Sequence, residues 1–270
     1  MLKIAISNDL ITQPLVYGLR VAKNQTTNLP AAIINDSLAD NCRSLLQNAV
    51  DAAIVSPLDY ARNSSKLAIL PGFAVFSTRR TQNALLFFRE NLRQFHTISV
   101  LKNNATYQVL AELLFKEYFE VEPRWEEIAP TNSDVNELLN TKEAVFLEND
   151  AAYENIYKTD RYLDILEEWH DKTGIPFIHQ LIVLKRDNDP AGIRSMMNNS
   201  LNLGIRNLHK IAERYAKTGK NSESFYLERI SEDFQYTPTD ETWDSLKEFF
   251  QYLYYYGYID DIPGLRFAER

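Results

Sequence analysis

Short apolar runs alternate with helix-period stretches through the first two thirds of this chain, and that alternation constrains the fold most. Leu2–Ile6 is a run closed by Ser7-Asn8-Asp9, and it reads as a buried strand. Pro14–Val21 follows as a helix with proline in its first turn. Ala31–Ile34 is a second run, and Asp36–Asn48 places Leu38, Cys42, Leu45 and Leu46 at helical spacing. Asp51–Val55 is a third strand, ended by Ser56-Pro57. A β-α-β-α-β order leaves each strand apolar on both faces, so the sheet must be mostly parallel and covered by helices.

A second block repeats the pattern. Ala84–Phe88 and Thr97–Leu101 read as strands, and a helix opening at Asn103-Asn104-Ala105-Thr106 buries Val109, Leu110, Leu113, Leu114 and Phe115. Ala144–Leu147 is a strand, Tyr162–Trp169 a helix, and Phe177–Leu184 a further strand after the break at Thr173–Pro176. Asp189–Lys217 reads as one long helix, followed by helices over Ser222–Ile230 and Thr239–Tyr256. The pattern predicts a discontinuous lobe I (residues 1–88 plus 180–270), a lobe II (residues 89–179), and crossings near 83–92 and 175–184. Two lobes joined by two crossings make a hinge with a cleft, and ligands of open α/β sheets sit beyond the carboxyl ends of the strands.

Composition removes several function classes. The 270 residues carry 29 Lys+Arg against 37 Asp+Glu, a net charge of −8, with no basic run for phosphate contacts, so no nucleic-acid partner is expected. One cysteine excludes an internal disulfide framework, and four scattered histidines lack zinc-site spacing. No glycine-rich phosphate loop or nucleophile elbow occurs, so neither a cofactor nor a metal is predicted. The opening MLKIAISNDL shows no leader pattern and no apolar stretch is long enough to span a bilayer, which predicts a cytoplasmic protein.

The loops after the strands are rich in Ser, Thr and Asn, a chemistry of neutral donors suited to carboxylate oxygens. Asn104 and Thr106 either hold a ligand or cap a helix, and Ser56 has the same two roles open. Arg79 and Arg80 are either a carboxylate clamp or solvated surface. Asp9 and Asp150 become general bases only where burial dries them. Cys42 lies on an apolar helix face and reads as inert, while His179, within a strand, reads as structural.

Several segments taken together resemble the menaquinone-biosynthesis family of the futalosine route, which contains chorismate dehydratase. They are Ile4-Ala5-Ile6; Leu10-x-Thr12-x-Pro14-Leu15-x-Tyr17-Gly18-Leu19; Asp51–Ala61; Leu70-Pro71-Gly72; Glu167-Glu168-Trp169; Thr173–Phe177; and Tyr256–Ile259 with Pro263–Phe267. The resemblance implies a two-lobed fold like that of type II periplasmic binding proteins, with a helical C-terminal tail. It implies a hydro-lyase that dehydrates chorismate to an aromatic enolpyruvyl-oxybenzoate, with a small dicarboxylate as substrate. The alternative is a non-catalytic or repurposed small-carboxylate binder. The family's motif asparagine stands here as Ile11, and its serine before the first crossing strand as Asn83. Asn83 would then be the catalytic donor, with Asn8, Thr12, Ser56, Asn104, Thr106 and Asn149 binding substrate.

Overall fold

The computed structural model describes residues 2–22, 31–34, 37–89, 96–101, 105–129 and 133–269. Along the chain come β1 (Lys3–Ile6), α1 (Gln13–Ala22), β2 (Ala31–Ile34), α2 (Leu38–Leu46), β3 (Ala52–Val55), α3 (Pro57–Asn63) and β4 (Leu67–Ser77). Next are β5 (Ala84–Phe88), β6 (Thr97–Leu101), α4 (Ala105–Leu114), β7 (Arg124–Ile128), α5 (Val135–Leu139), β8 (Ala144–Glu148) and α6 (Asn149–Tyr153). The chain continues through β9 (Tyr162–Asp164), α7 (Ile165–Thr173) and β10 (Phe177–Lys185). Four helices follow: α8 (Ala191–Ile205), α9 (Leu208–Ala216), α10 (Glu223–Glu228) and α11 (Asp240–Tyr255).

Two compact units result. Unit 1 comprises Met1–Thr78, Pro176–Thr218 and Ser222–Arg270; unit 2 comprises Arg79–Ile175 with Gly219–Asn221. The sequence reading drew its boundaries at 88/89 and 179/180, whereas the contacts divide the chain at 78/79 and 175/176. β5 accordingly lies in the second sheet, between β8 and β9.

Each unit is built on a five-stranded sheet, ordered β2-β1-β3-β10-β4 in unit 1 and β7-β6-β8-β5-β9 in unit 2. The sheets are mixed rather than mostly parallel. β1 pairs parallel with β2 and β3, but β10 runs antiparallel to β3 and to β4. Likewise β6 pairs parallel with β7 and β8, while β5 runs antiparallel to β8 and to β9. Helical crossovers enforce parallel pairing only within each β-α-β run; the strand that enters from the other unit is free to pair the opposite way.

β4 is a long strand that the periodicity did not reveal. Pro71-Gly72 interrupts its apolar run, with Gly72 at φ +92°, and the pairing of β4 with β10 shifts register twice. The helix expected over Tyr162–Trp169 begins later, because Tyr162–Asp164 pairs with β5 as an edge strand and Asp164 caps α7. The long helix expected over 189–217 divides into α8 and α9. Asn207 leaves helical geometry (φ −128°, ψ 27°) and its amide donates to the Leu203 carbonyl, competing with the backbone ladder.

The core of unit 1 gathers Ile4, Ile6, Leu15, Val75, Ile182, Met197 and Phe234. α8 seats on α1 through small residues. A Cβ on Gly204 would lie 1.9 Å from the Pro14 carbonyl oxygen, and one on Gly18 would lie 2.6 Å from the Ser200 Cα. Ser200 Oγ donates to the Leu15 carbonyl (2.7 Å) and accepts from the Leu19 amide (3.3 Å), so the close approach also satisfies its hydroxyl.

Candidate functional site

In unit 1 the chain leaves β1 and turns at once into a 3-10 segment, Leu10–Thr12, that feeds α1. This places polar side chains at the carboxyl end of a buried strand. Ser7 Oγ donates to Asp9 Oδ2 (2.8 Å) and lies 2.8 Å from Thr12 Oγ1, which donates to Gln180 Oε1 on β10 (2.9 Å). Ser7, Thr12 and Gln180 are all buried. Three contacts share two hydroxyl protons, so a further proton must come from Asp9 or from a turned-over Gln180 amide. Burial raises the Asp9 pKa above the ordinary aspartate value, and the Ser7 bond opposes that rise.

The backbone of the same loop is tied from outside. Gln13 Nε2 donates to the carbonyls of Asn8 and Asp9 (3.0 Å each), and the Tyr215 hydroxyl donates to the Asn8 carbonyl. Arg20 Nη2 donates to the Ser7 carbonyl (3.2 Å) and to Asn8 Oδ1 (2.8 Å). Burial and the nearby Arg214 guanidinium hold the Arg20 pKa below its ordinary value. Ile11, which stands where the family has an asparagine, is buried in the apolar core.

In unit 2 the segment before β5 is organised around two side chains. Asn83 is fully buried. Its Nδ2 donates to the Tyr107 hydroxyl (2.7 Å) and its Oδ1 accepts from the Tyr153 hydroxyl (2.8 Å). Its carbonyl accepts from the Asn149 amide (2.8 Å), which fixes Asn149 at φ +52°. Asp164 holds the preceding residues in place. One carboxylate oxygen accepts from the Thr81 and Gln82 amides (3.2 and 2.7 Å), the other from the Leu166 and Glu167 amides (3.0 and 3.4 Å). Burial pushes its pKa up to about 6, and the backbone donors limit the rise.

The remaining expected residues fall as follows. Ser56 caps α3: its hydroxyl donates to Asp59 Oδ2 (2.7 Å) and accepts from the Asp59 amide (3.1 Å). Thr106 is buried in the first turn of α4, Asn149 is half-buried and Asn8 is exposed. Asn104 lies outside the described residues. Arg79, Arg80 and Asp150 are exposed. His179 is buried between the edges of Phe177 and Phe234, bonded to Ser77 Oγ (2.9 Å), with burial pushing its pKa down to about 3. The Cys42 thiol is pushed up to about 12 by burial and by Asp59, so it is no nucleophile.

Thus Thr12 and Asn8 come together in unit 1, and Asn83 and Asn149 in unit 2. The sequence reading missed Gln180, Arg20, Arg214, Tyr215, Tyr107, Tyr153 and Asp164. One signal was present: His179-Gln180 are polar side chains inside an otherwise apolar strand, and such pairs need partners. The others reach their partners from distant segments.

Two mixed five-stranded sheets, one in each unit, define a periplasmic-binding-protein-like α/β fold. A structural-genomics protein from Archaeoglobus fulgidus superposes with a TM-score of 0.73 at 16% identity, covering 95% of this chain and 98% of its own. The periplasmic aliphatic sulphonate binding protein of Escherichia coli matches with a TM-score of 0.70 at 11% identity, covering 99% and 97%. The chain belongs to the menaquinone-biosynthesis family, whose model matches residues 2–255. Chorismate dehydratase of Thermus thermophilus is 25% identical over 222 residues, 76% of this chain and 78% of that protein. The expectation of a cytoplasmic protein is not borne out: the sulphonate-binding protein that shares the fold along its length is periplasmic. That expectation rested on the opening residues and on the lack of a long apolar stretch. No helix among the described residues is long and apolar enough to cross a membrane.

Proposed function

We propose that this chain is a non-catalytic or repurposed binder of a small organic dicarboxylate, built on the scaffold of its family. The observation that carries this reading is the state of Asn83. A catalytic donor must offer its N–H to the group that leaves, yet this fully buried amide spends its Oδ1 and one of its two N–H donors on tyrosine hydroxyls. Ile11 agrees, since an apolar core side chain cannot replace an amide. Beside β1, the exposed Asn8 accepts from Arg20 through Oδ1 and keeps its amide N–H donors for a carboxylate ligand.

Dehydration of chorismate is the second reading, and the match to a chorismate dehydratase over most of the chain favours it. It would expel a hydroxyl as water while the ring becomes aromatic, with Asn83 as donor. One experiment separates the two. Purified chain is mixed with chorismate, substrate loss and aromatic product are followed, and thermal shift is recorded alongside. A stabilising shift without turnover supports binding alone. Turnover overturns the non-catalytic reading, and neither shift nor turnover removes chorismate as the ligand.

A further inference from the structure

We propose that Arg20 and Arg214 form an oxyanion subsite at the carboxyl end of β1, which takes one acidic group of a small ligand. The inference deepens the binding reading above and rests on it only for the organic part of that ligand.

Two guanidinium groups converge on one loop from opposite ends of the sequence. Arg20 reaches back from the last turn of α1 to Ser7 and Asn8. Arg214 on α9 donates through Nη2 to Gln13 Oε1 (3.3 Å), and Gln13 is the residue that fixes the carbonyls of Asn8 and Asp9. Tyr215, beside Arg214, closes the frame on the Asn8 carbonyl. Both cations are thus positioned through the same short segment.

Neither arginine forms an ion pair among the described residues. The carboxylate in this loop, Asp9, is bonded to Ser7 instead. Arg20 Nε is buried with no hydrogen-bond partner, an unusual state for a cation that has lost part of its hydration. Burial first, and then the neighbouring Arg214 charge, disfavour the Arg20 cation. The bonds to Ser7 and Asn8 occupy Arg20 Nη2, which leaves the Nη1 donors available. A guanidinium with a spare pair of donors suits a carboxylate or another oxyanion, and the second guanidinium reinforces it. An anion placed there would offset both charges at once.

The test is titration calorimetry of the full chain at low ionic strength with two probes, inorganic sulfate and the dicarboxylate used above. Arg20→Gln and Arg214→Gln are compared with Lys217→Gln, an exposed charge control on the following turn. The expected result is sulfate binding to the native chain that weakens about tenfold in Arg214→Gln, the scale of one charge-assisted hydrogen bond, and at least as much in Arg20→Gln. Lys217→Gln should bind as the native chain does. Arg214 is exposed, so its variant should keep the native circular dichroism even where Arg20→Gln disturbs the loop. Equal weakening by Lys217→Gln overturns the subsite in favour of general charge attraction, and no sulfate binding to the native chain overturns it outright. Dicarboxylate binding unchanged in both arginine variants overturns the subsite but leaves the binding reading standing. Arginine-dependent sulfate binding without dicarboxylate binding upholds the subsite and removes that ligand class.

Discussion

In unit 1 the segment after β1 presents two hydroxyls bonded to each other and to Gln180, an exposed amide, and a half-buried cation whose Nε has no hydrogen-bond partner. In unit 2 the segment before β5 presents one amide with both of its atoms bonded and one carboxylate whose two oxygens each accept two amides. The two sheets share a plan of three parallel strands followed by two of alternating sense. Their polar groups do different work. Those of unit 2 are spent on holding a turn, whereas unit 1 leaves the buried Arg20 Nε without a hydrogen-bond partner. Equivalent topology therefore says where polar groups gather, and hydrogen-bond accounting says what they are for.

Four substitutions break or sharpen that contrast. The largest effect is expected for Gly204→Ala, since its Cβ would meet the Pro14 backbone at 1.9 Å and α8 would have to lift from α1. Unit 1 should lose about 3 kcal/mol or more, at the upper end for overpacking, read as a fall in the urea midpoint. An unchanged midpoint would mean that the helices slide apart freely.

Asn83→Ala should cost about 2–4 kcal/mol, because two buried tyrosine hydroxyls each lose a hydrogen bond and a cavity opens. Ligand affinity in thermal-shift titration should hold wherever the variant remains folded. A selective loss of affinity at preserved stability would move Asn83 from the turn to the ligand.

Asp164→Asn tests the carboxylate of unit 2, because an amide nitrogen would face two backbone N–H donors. A loss of about 2–3 kcal/mol at pH 7 is expected. The pH dependence has a defined sign. The folded pKa is raised from 3.8 to about 6, so the folded chain holds this proton more tightly than the unfolded one. Its contribution favours folding at acid pH and is lost as pH rises through that window, by roughly 3 kcal/mol in all. The difference in melting temperature between the native chain and the variant should therefore grow from pH 7 to pH 5. A difference that shrinks on acidification would show that the backbone donors outweigh burial.

Thr12→Val is the mildest change. It keeps the shape and removes the hydroxyl that links Ser7 to Gln180, at about 1–2 kcal/mol. It should also weaken dicarboxylate binding, which the unit 2 variants should not do. Equal affinity would take the hydroxyl chain out of the site.

Much of this was legible in the residues. The apolar runs of β1, β3, β5, β6 and β8 mark strands because a short run closed by polar turn residues buries both faces. Ser56-Pro57 and Thr239-Asp240 announce helix starts, and the hydroxyls of Ser56 and Thr239 do cap α3 and α11. The polar character of the loop after β1 was also visible, through Asn8 and Thr12.

Local sequence therefore determined most of the strands, the caps at Ser56 and Thr239 and the family, since these depend on neighbours a few residues apart. Tertiary structure decided the rest. It reversed the sense of β10 and β5, and it gave Asn83 two tyrosines that lie 24 and 70 residues away. It also brought Arg214 to the loop beside Arg20. A buried polar group takes its role from whichever partners satisfy it, and those partners are set by packing rather than by spacing along the chain.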